Sequence, residues 1–143
     1  MATLRALFAK LYTYVLLFEQ EDFQRAVPPS YDQVHDAIVA WVDTQKAEAR
    51  RQGLDTDNQQ APFQEALFAF VAWADETLVK HATWEQRNRW RESQLQLQYF
   101  QTTSAGDELF EHLPHLGQKE VQEIYYLSLG LGFKGRYHRG RPE

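Results

Sequence analysis

The 143-residue sequence has no cysteine, a single methionine and five prolines. Without cysteine there is no disulfide framework, no thiolate metal site and no cysteine nucleophile, a composition that fits a reducing compartment. Long apolar runs are missing too. A stretch such as Ala66 to Ala74 falls far short of the ~20 residues that a bilayer span requires, so the chain is expected to be soluble. The opening Met1-Ala2-Thr3-Leu4-Arg5 lacks the basic, apolar and small-residue regions of a secretory signal. Positive charge is in deficit. The net charge of −5 argues against general nucleic-acid binding, which needs a basic face to neutralise phosphates.

What the sequence does contain is helical periodicity. There is no convincing period-two alternation bounded by hairpin turns. Residues 1–143 read as one all-α domain, able at this size to bury roughly 70 % of the surface of its unfolded chain. Leu4, Leu7, Phe8, Leu11, Val15 and Phe18 recur at three- and four-residue steps, the apolar stripe of a helix running to about Arg25. Pro28-Pro29 stops it. Ser30 and Gln33 have capping-box spacing, in which each side chain satisfies the other residue's backbone N–H. The helix they start turns Val34, Ile38, Trp41 and Val42 inward. Gly53 to Gln60 is polar and turn-rich, and reads as a loop.

Pro62 suits the first turn of a third helix, where its missing N–H costs nothing. On a wheel of ~100° per residue, Phe63, Leu67, Phe70, Val71, Ala74 and Leu78 share one side and Ala69, Ala72 and Trp73 the other. A helix apolar nearly all round is expected to be buried nearly all round, with packing partners on both sides. Thr83 to Gln86 repeats the capping-box pattern and predicts a helix through Trp90, Leu95, Leu97 and Phe100. Ser104 to Asp107 caps a shorter helix with Leu109, Phe110 and Leu113. The last helix runs from about Gln118 to the glycines that follow Leu129. About six helices with short connections make two small packed bundles that share the central apolar helix.

Few residue groups could carry chemistry. Asp75-Glu76 invites an acid/base reading, but neighbours on a helix point ~100° apart and do not converge on one atom. Glu76 falls on the side of Ala69, Ala72 and Trp73, so it is expected to be partly buried and to need a donor. A structural or interface-lining carboxylate pair is favoured over catalysis. His112 and His115 could share a metal, but two ligands do not specify a site. Pro114 marks a helix end there, so the pair is expected to face solvent. Of the aromatic residues, most fit a core, whereas Trp84 and Tyr137 lie near helix ends and are expected to be partly exposed.

The chain ends in Leu129-Gly130-Leu131-Gly132-Phe133-Lys134-Gly135-Arg136-Tyr137. Glycines that follow a helix do not make a phosphate loop, which precedes one; they make a specified stop and turn. From Lys134 onward four basic residues stand against Glu143 alone, a local excess that reads as a solvated chain end or, alternatively, as a juxtamembrane segment.

Phe68-Ala69-Phe70-Val71-Ala72-Trp73-Ala74-Asp75-Glu76, then Trp84 and Trp90, then Gly106 and Phe110, then Tyr125 through the glycine-rich ending, together resemble the DotU/TssL family. The likeness is good from about Ala61 to Gly140 and loose over the first two helices. The family comprises inner-membrane accessory components of type VI secretion and of Dot/Icm-type type IV secretion. The resemblance implies a cytoplasmic all-α domain of two packed bundles, ordinarily followed by a C-terminal membrane anchor that these 143 residues do not include. It implies a non-enzymatic scaffold on the cytoplasmic face of the bacterial inner membrane. Its partners would be a TssM/IcmF-like inner-membrane protein and a TssK-like baseplate protein, with self-association as a further option. Neither cofactor nor metal is expected. Asp75, Glu76, Trp84, Arg136 and Tyr137 are the candidate partner-binding residues. Two other readings stay open: a small helical metal-dependent hydrolase using Asp75, Glu76 and histidines, and a free-standing soluble adaptor.

Overall fold

The computed structural model describes residues 3–21, 26–54, 61–81 and 84–135. These form seven α-helices and one 3-10 turn, with no strand among the described residues. The helices are α1 (Leu4–Glu21), α2 (Tyr31–Arg51), α3 (Ala61–Val79), α4 (Arg87–Glu92), α5 (Leu95–Phe100), α6 (Ala105–His112) and α7 (Lys119–Gly130), with the turn at Leu113–His115. No helix among the described residues is long and apolar enough to cross a membrane.

The expected capping box at Ser30 is formed. Ser30 Oγ accepts the Gln33 N–H at 3.2 Å, and Gln33 Oε1 accepts the Ser30 N–H at 2.8 Å. Beyond it Val34, Ile38 and Val42 are buried, whereas Trp41 is half-buried against Tyr14 and Phe18 of α1.

Helix α3 is central, as its two-sided wheel requires. Phe63 and every residue from Ala66 to Asp75 are buried, and α3 packs against α1, α4, α5, α6 and α7, while α2 packs mainly on α1 and α4. Toward α1, Phe63 meets Phe8 at 5.1 Å and Trp73 meets Tyr12 at 4.8 Å between ring centroids. Each fully buried large apolar side chain contributes roughly 1.5–3 kcal/mol. A polar thread crosses this apolar junction: the Tyr12 hydroxyl meets Ser128 Oγ, which donates to the Ala69 carbonyl at 3.2 Å. With the serine proton committed to Ala69, Tyr12 is the donor to Ser128, so α1, α7 and α3 share a satisfied buried link. On the other flank, Phe68 meets Phe100 of α5 edge-on at 5.1 Å.

The single helix predicted from Trp84 to Phe100 is two. Trp84 to Gln86 form a turn, α4 starts at Arg87 with no side-chain cap from Gln86, and the chain breaks at Ser93-Gln94 before α5; Thr83, the other half of the expected capping box, lies outside the described residues. In a continuous helix the Leu95 and Gln96 N–H groups would bond carbonyls four residues back. Here both donate to Asp75 of α3 instead, at 2.9 and 2.8 Å. The restart also turns the expected faces: Leu97 is exposed and Gln96 is buried.

Two further local expectations are corrected. The Ser104 hydroxyl makes no cap to a backbone N–H and donates to Glu108 Oε2 at 2.8 Å. His112 does not face solvent but is half-buried against Phe68, at 4.5 Å between centroids; His115 is exposed.

Helix α7 ends in a Schellman motif, with Phe133 N–H donating to the Ser128 carbonyl and Gly132 N–H to that of Leu129, both at 3.1 Å. Gly132 supplies the positive φ of 101° that this stop needs. Gly130, by contrast, is an ordinary helical residue with open space around it, so its glycine answers no local requirement.

Candidate functional site

The two carboxylates singled out in the sequence serve opposite flanks of α3. Asp75 is 1 % exposed and is surrounded by N–H groups. Its Oδ1 accepts Trp90 Nε1–H at 2.8 Å and the Leu95 N–H at 2.9 Å; its Oδ2 accepts the Gln96 N–H at 2.8 Å and the Gln96 side-chain amide at 3.3 Å. Burial pushes the Asp75 carboxyl up to about 6, against the opposing pull of these donors. The amide of Gln96 extends the network, since its Oε1 accepts the Ala105 N–H at 2.9 Å. One buried acid therefore positions α4, the start of α5 and, through Gln96, the start of α6.

Glu76 faces the chain's glycine-rich ending. Its Oε1 accepts the Gly135 N–H and its Oε2 the Lys134 N–H, each at 2.9 Å. Lys80 Nζ stands 3.9 Å away, one turn further along α3. The side chain is 14 % exposed, which matches the expected need for a donor, though the donors are backbone amides. These two N–H groups can reach Glu76 because the chain passes very close to α6. A Cβ built on Gly135, whose φ is 53°, would lie 2.4 Å from the Gly106 carbonyl oxygen and 2.8 Å from Phe110. Only glycine fits there. The sequence features at Asp75-Glu76 and at the glycine-rich ending, 58 and 59 residues apart at their hydrogen bonds, are thus in direct contact.

Between them lies a cleft of about 340 Å³, with Asp75 and Glu76 on one side, Phe133 and Gly135 on another, and Gly106 and Asp107 at the start of α6. The two acids do not converge on a shared substrate position, because each already holds donors of its own chain in different directions. Among the described residues no three His, Asp or Glu side chains are grouped so as to hold a metal ion.

Trp84, expected to be partly exposed, is 1 % exposed. Its indole N–H donates to the Pro29 carbonyl at 2.9 Å and its ring packs 5.9 Å from that of Trp90. The indole thus ties α4's leading turn to the carbonyl just before the Ser30 cap of α2, so the side chain serves the fold. Arg136 and Tyr137 lie outside the described residues. Gln96 went unnoticed in the sequence, where Leu95 and Leu97 carried the apolar reading; the polar residue between them makes the bridge.

The family model described as "Type VI secretion system protein DotU" matches residues 3–143. Among solved structures, the cytoplasmic domain of TssL from Acinetobacter baumannii is similar to this chain with a TM-score of 0.79 and 26 % sequence identity, over 99 % of this chain and 88 % of that one. No curated protein matches the chain.

Proposed function

Because the chain belongs to the DotU family of type VI secretion system proteins, we propose that it is a non-enzymatic scaffold of the secretion-system membrane complex. It stands at the cytoplasmic face of the bacterial inner membrane and binds a TssM/IcmF-like inner-membrane protein and a TssK-like baseplate protein. The observation that carries this reading is the clasp of Glu76 on Lys134 and Gly135. It makes the segment leading into the basic C-terminal residues a wall of the cleft, so a protein seated in the cleft meets both at once. A scaffold also suits the acids themselves. Asp75 and Glu76 hold helix starts and backbone amides, and neither is set to exchange a proton with a substrate.

The test is co-purification of this chain, and of its Glu76→Ala variant, with the TssM-like and TssK-like proteins of the same organism. The parent is expected to retain both partners, and the variant to lose at least one while keeping its helical circular dichroism. If the parent retains neither partner, the proposal fails. If the variant binds both as tightly as the parent, the cleft is not the contact.

A further inference from the structure

A second cavity, of about 440 Å³, opens between the first half of α3, the end of α5 and α6, and shares no lining residue with the Asp75–Glu76 cleft. Its floor is aromatic. Phe68 and Phe100 meet edge-on there, and the His112 ring leans on Phe68. The imidazole is held in place from behind, its Nδ1 lying 3.2 Å from the buried Tyr125 hydroxyl. The walls are acidic: Glu65 comes from α3, and Glu108 and Glu111 come from α6. Among the described residues no lysine or arginine lines the cavity.

Glu108 is not free to fold away. Glu108 Oε2 accepts the Thr102 hydroxyl at 2.5 Å and the Ser104 hydroxyl at 2.8 Å, which fixes its carboxylate beside the groove. Glu65 is close enough to the Tyr125 hydroxyl for its negative charge to add to burial in raising that group's pKa. The groove is therefore a preformed apolar floor with negative walls, in a chain that elsewhere ties its buried acids to its own N–H groups.

An aromatic floor alone would accept any apolar side chain, and carboxylates alone would attract any cation. The combination selects a flat cation that sheds water readily. A guanidinium stacks on aromatic faces and offers a fork of N–H donors to a carboxylate, whereas an ammonium is a strongly hydrated point charge. We propose that this groove between α3, α5 and α6 is a docking site for an arginine side chain of a partner protein. The guanidinium lies over the Phe68–Phe100 floor and donates to Glu65, Glu108 and Glu111. The contact is independent of the Asp75–Glu76 cleft and would survive if that cleft had no partner.

The probe is the peptide N-acetyl-Ala-Arg-Ala-amide, titrated into the isotope-labelled chain and followed by amide chemical shifts, with citrulline and lysine versions as controls. The arginine peptide is expected to give saturating shifts at Phe68, Phe100 and His112, and to bind at least ~5-fold more tightly than either control, because citrulline lacks the charge and lysine the planar fork. Glu65→Gln together with Glu111→Gln, both outside the core, should weaken it by at least ~5-fold with no change in thermal midpoint. Three results would overturn the proposal: no saturating shift in the groove, equal binding of citrulline or lysine, or unchanged affinity in the double variant. Light scattering adds a fourth, for if the parent self-associates and the double variant does not, the occupant is a second copy of this chain.

Discussion

Trp90 donates its indole N–H to Asp75 at 2.8 Å inside the packed junction of α4 with α3. The same carboxylate takes the first two N–H groups of α5 and the Gln96 side-chain amide, so its removal would orphan four buried donors at once. Each orphan costs about 1–3 kcal/mol. Asp75→Ala should therefore lower unfolding free energy by ~3 kcal/mol or more, measured by urea denaturation. A loss under ~1 kcal/mol would mean that water or rearrangement satisfies those groups.

The same residue makes stability depend on pH. Its folded value of about 6 lies above the ordinary 3.8, so between those values the native state holds a proton that the unfolded chain has released. Its stabilising contribution is full below ~pH 4 and is lost as pH rises through ~pH 6. Subtracting the stability of Asp75→Asn from that of the parent, from pH 3.5 to 7, should give a difference that falls across this window and is level above it. A difference that rises with pH would show that the four donors outweigh burial.

Three glycines of the ending should respond differently to alanine. Gly130→Ala, at a helical position with open surroundings, is expected to stabilise by about 0.4–1 kcal/mol. Gly132→Ala, at φ 101°, should cost ~1–2 kcal/mol by straining the left-handed stop. Gly135→Ala should expel the segment from Glu76, since its Cβ would strike the Gly106 carbonyl. Amide exchange reads that last effect directly: residues 134 and 135 should lose protection while α7 keeps it. Retained protection at both would show that the chain can shift to make room.

Trp73 is 1 % exposed and packs on Tyr12. Trp73→Ala should cost ~3–5 kcal/mol. Its indole N–H has no acceptor among the described residues, so Trp73→Phe should cost less than half as much as the alanine variant in the same denaturation assay. Equal losses would show that the indole makes a bond that phenylalanine cannot replace.

The central helix was legible in the sequence because burial on both sides leaves an apolar residue at nearly every wheel position from Phe63 to Ala74. The Ser30–Gln33 cap was legible because both partners sit within four residues. The break before Leu95 was not, since its cause is a carboxylate twenty residues upstream. Helical spacing on either side gives no hint that a remote acid will cap the second half. Trp84 misled for a related reason: a helix-end position favours exposure, but the acceptor that draws its indole inward is Pro29, 55 residues away. The site was half visible. Glu76 announced a need for donors, yet nothing local identified the amides of Lys134 and Gly135 as the ones that meet it.

The contact of Gly135 with Glu76 also fixes where tension would enter the molecule. Among the described residues, a pull on the chain at Gly135 is resisted by two hydrogen bonds to α3 and by the close fit of Gly135 against α6, before any turn of α7 can peel. Strain on the C-terminal end is thereby delivered to the most deeply packed helix of the domain, and the fold bears load at its centre rather than at its edge.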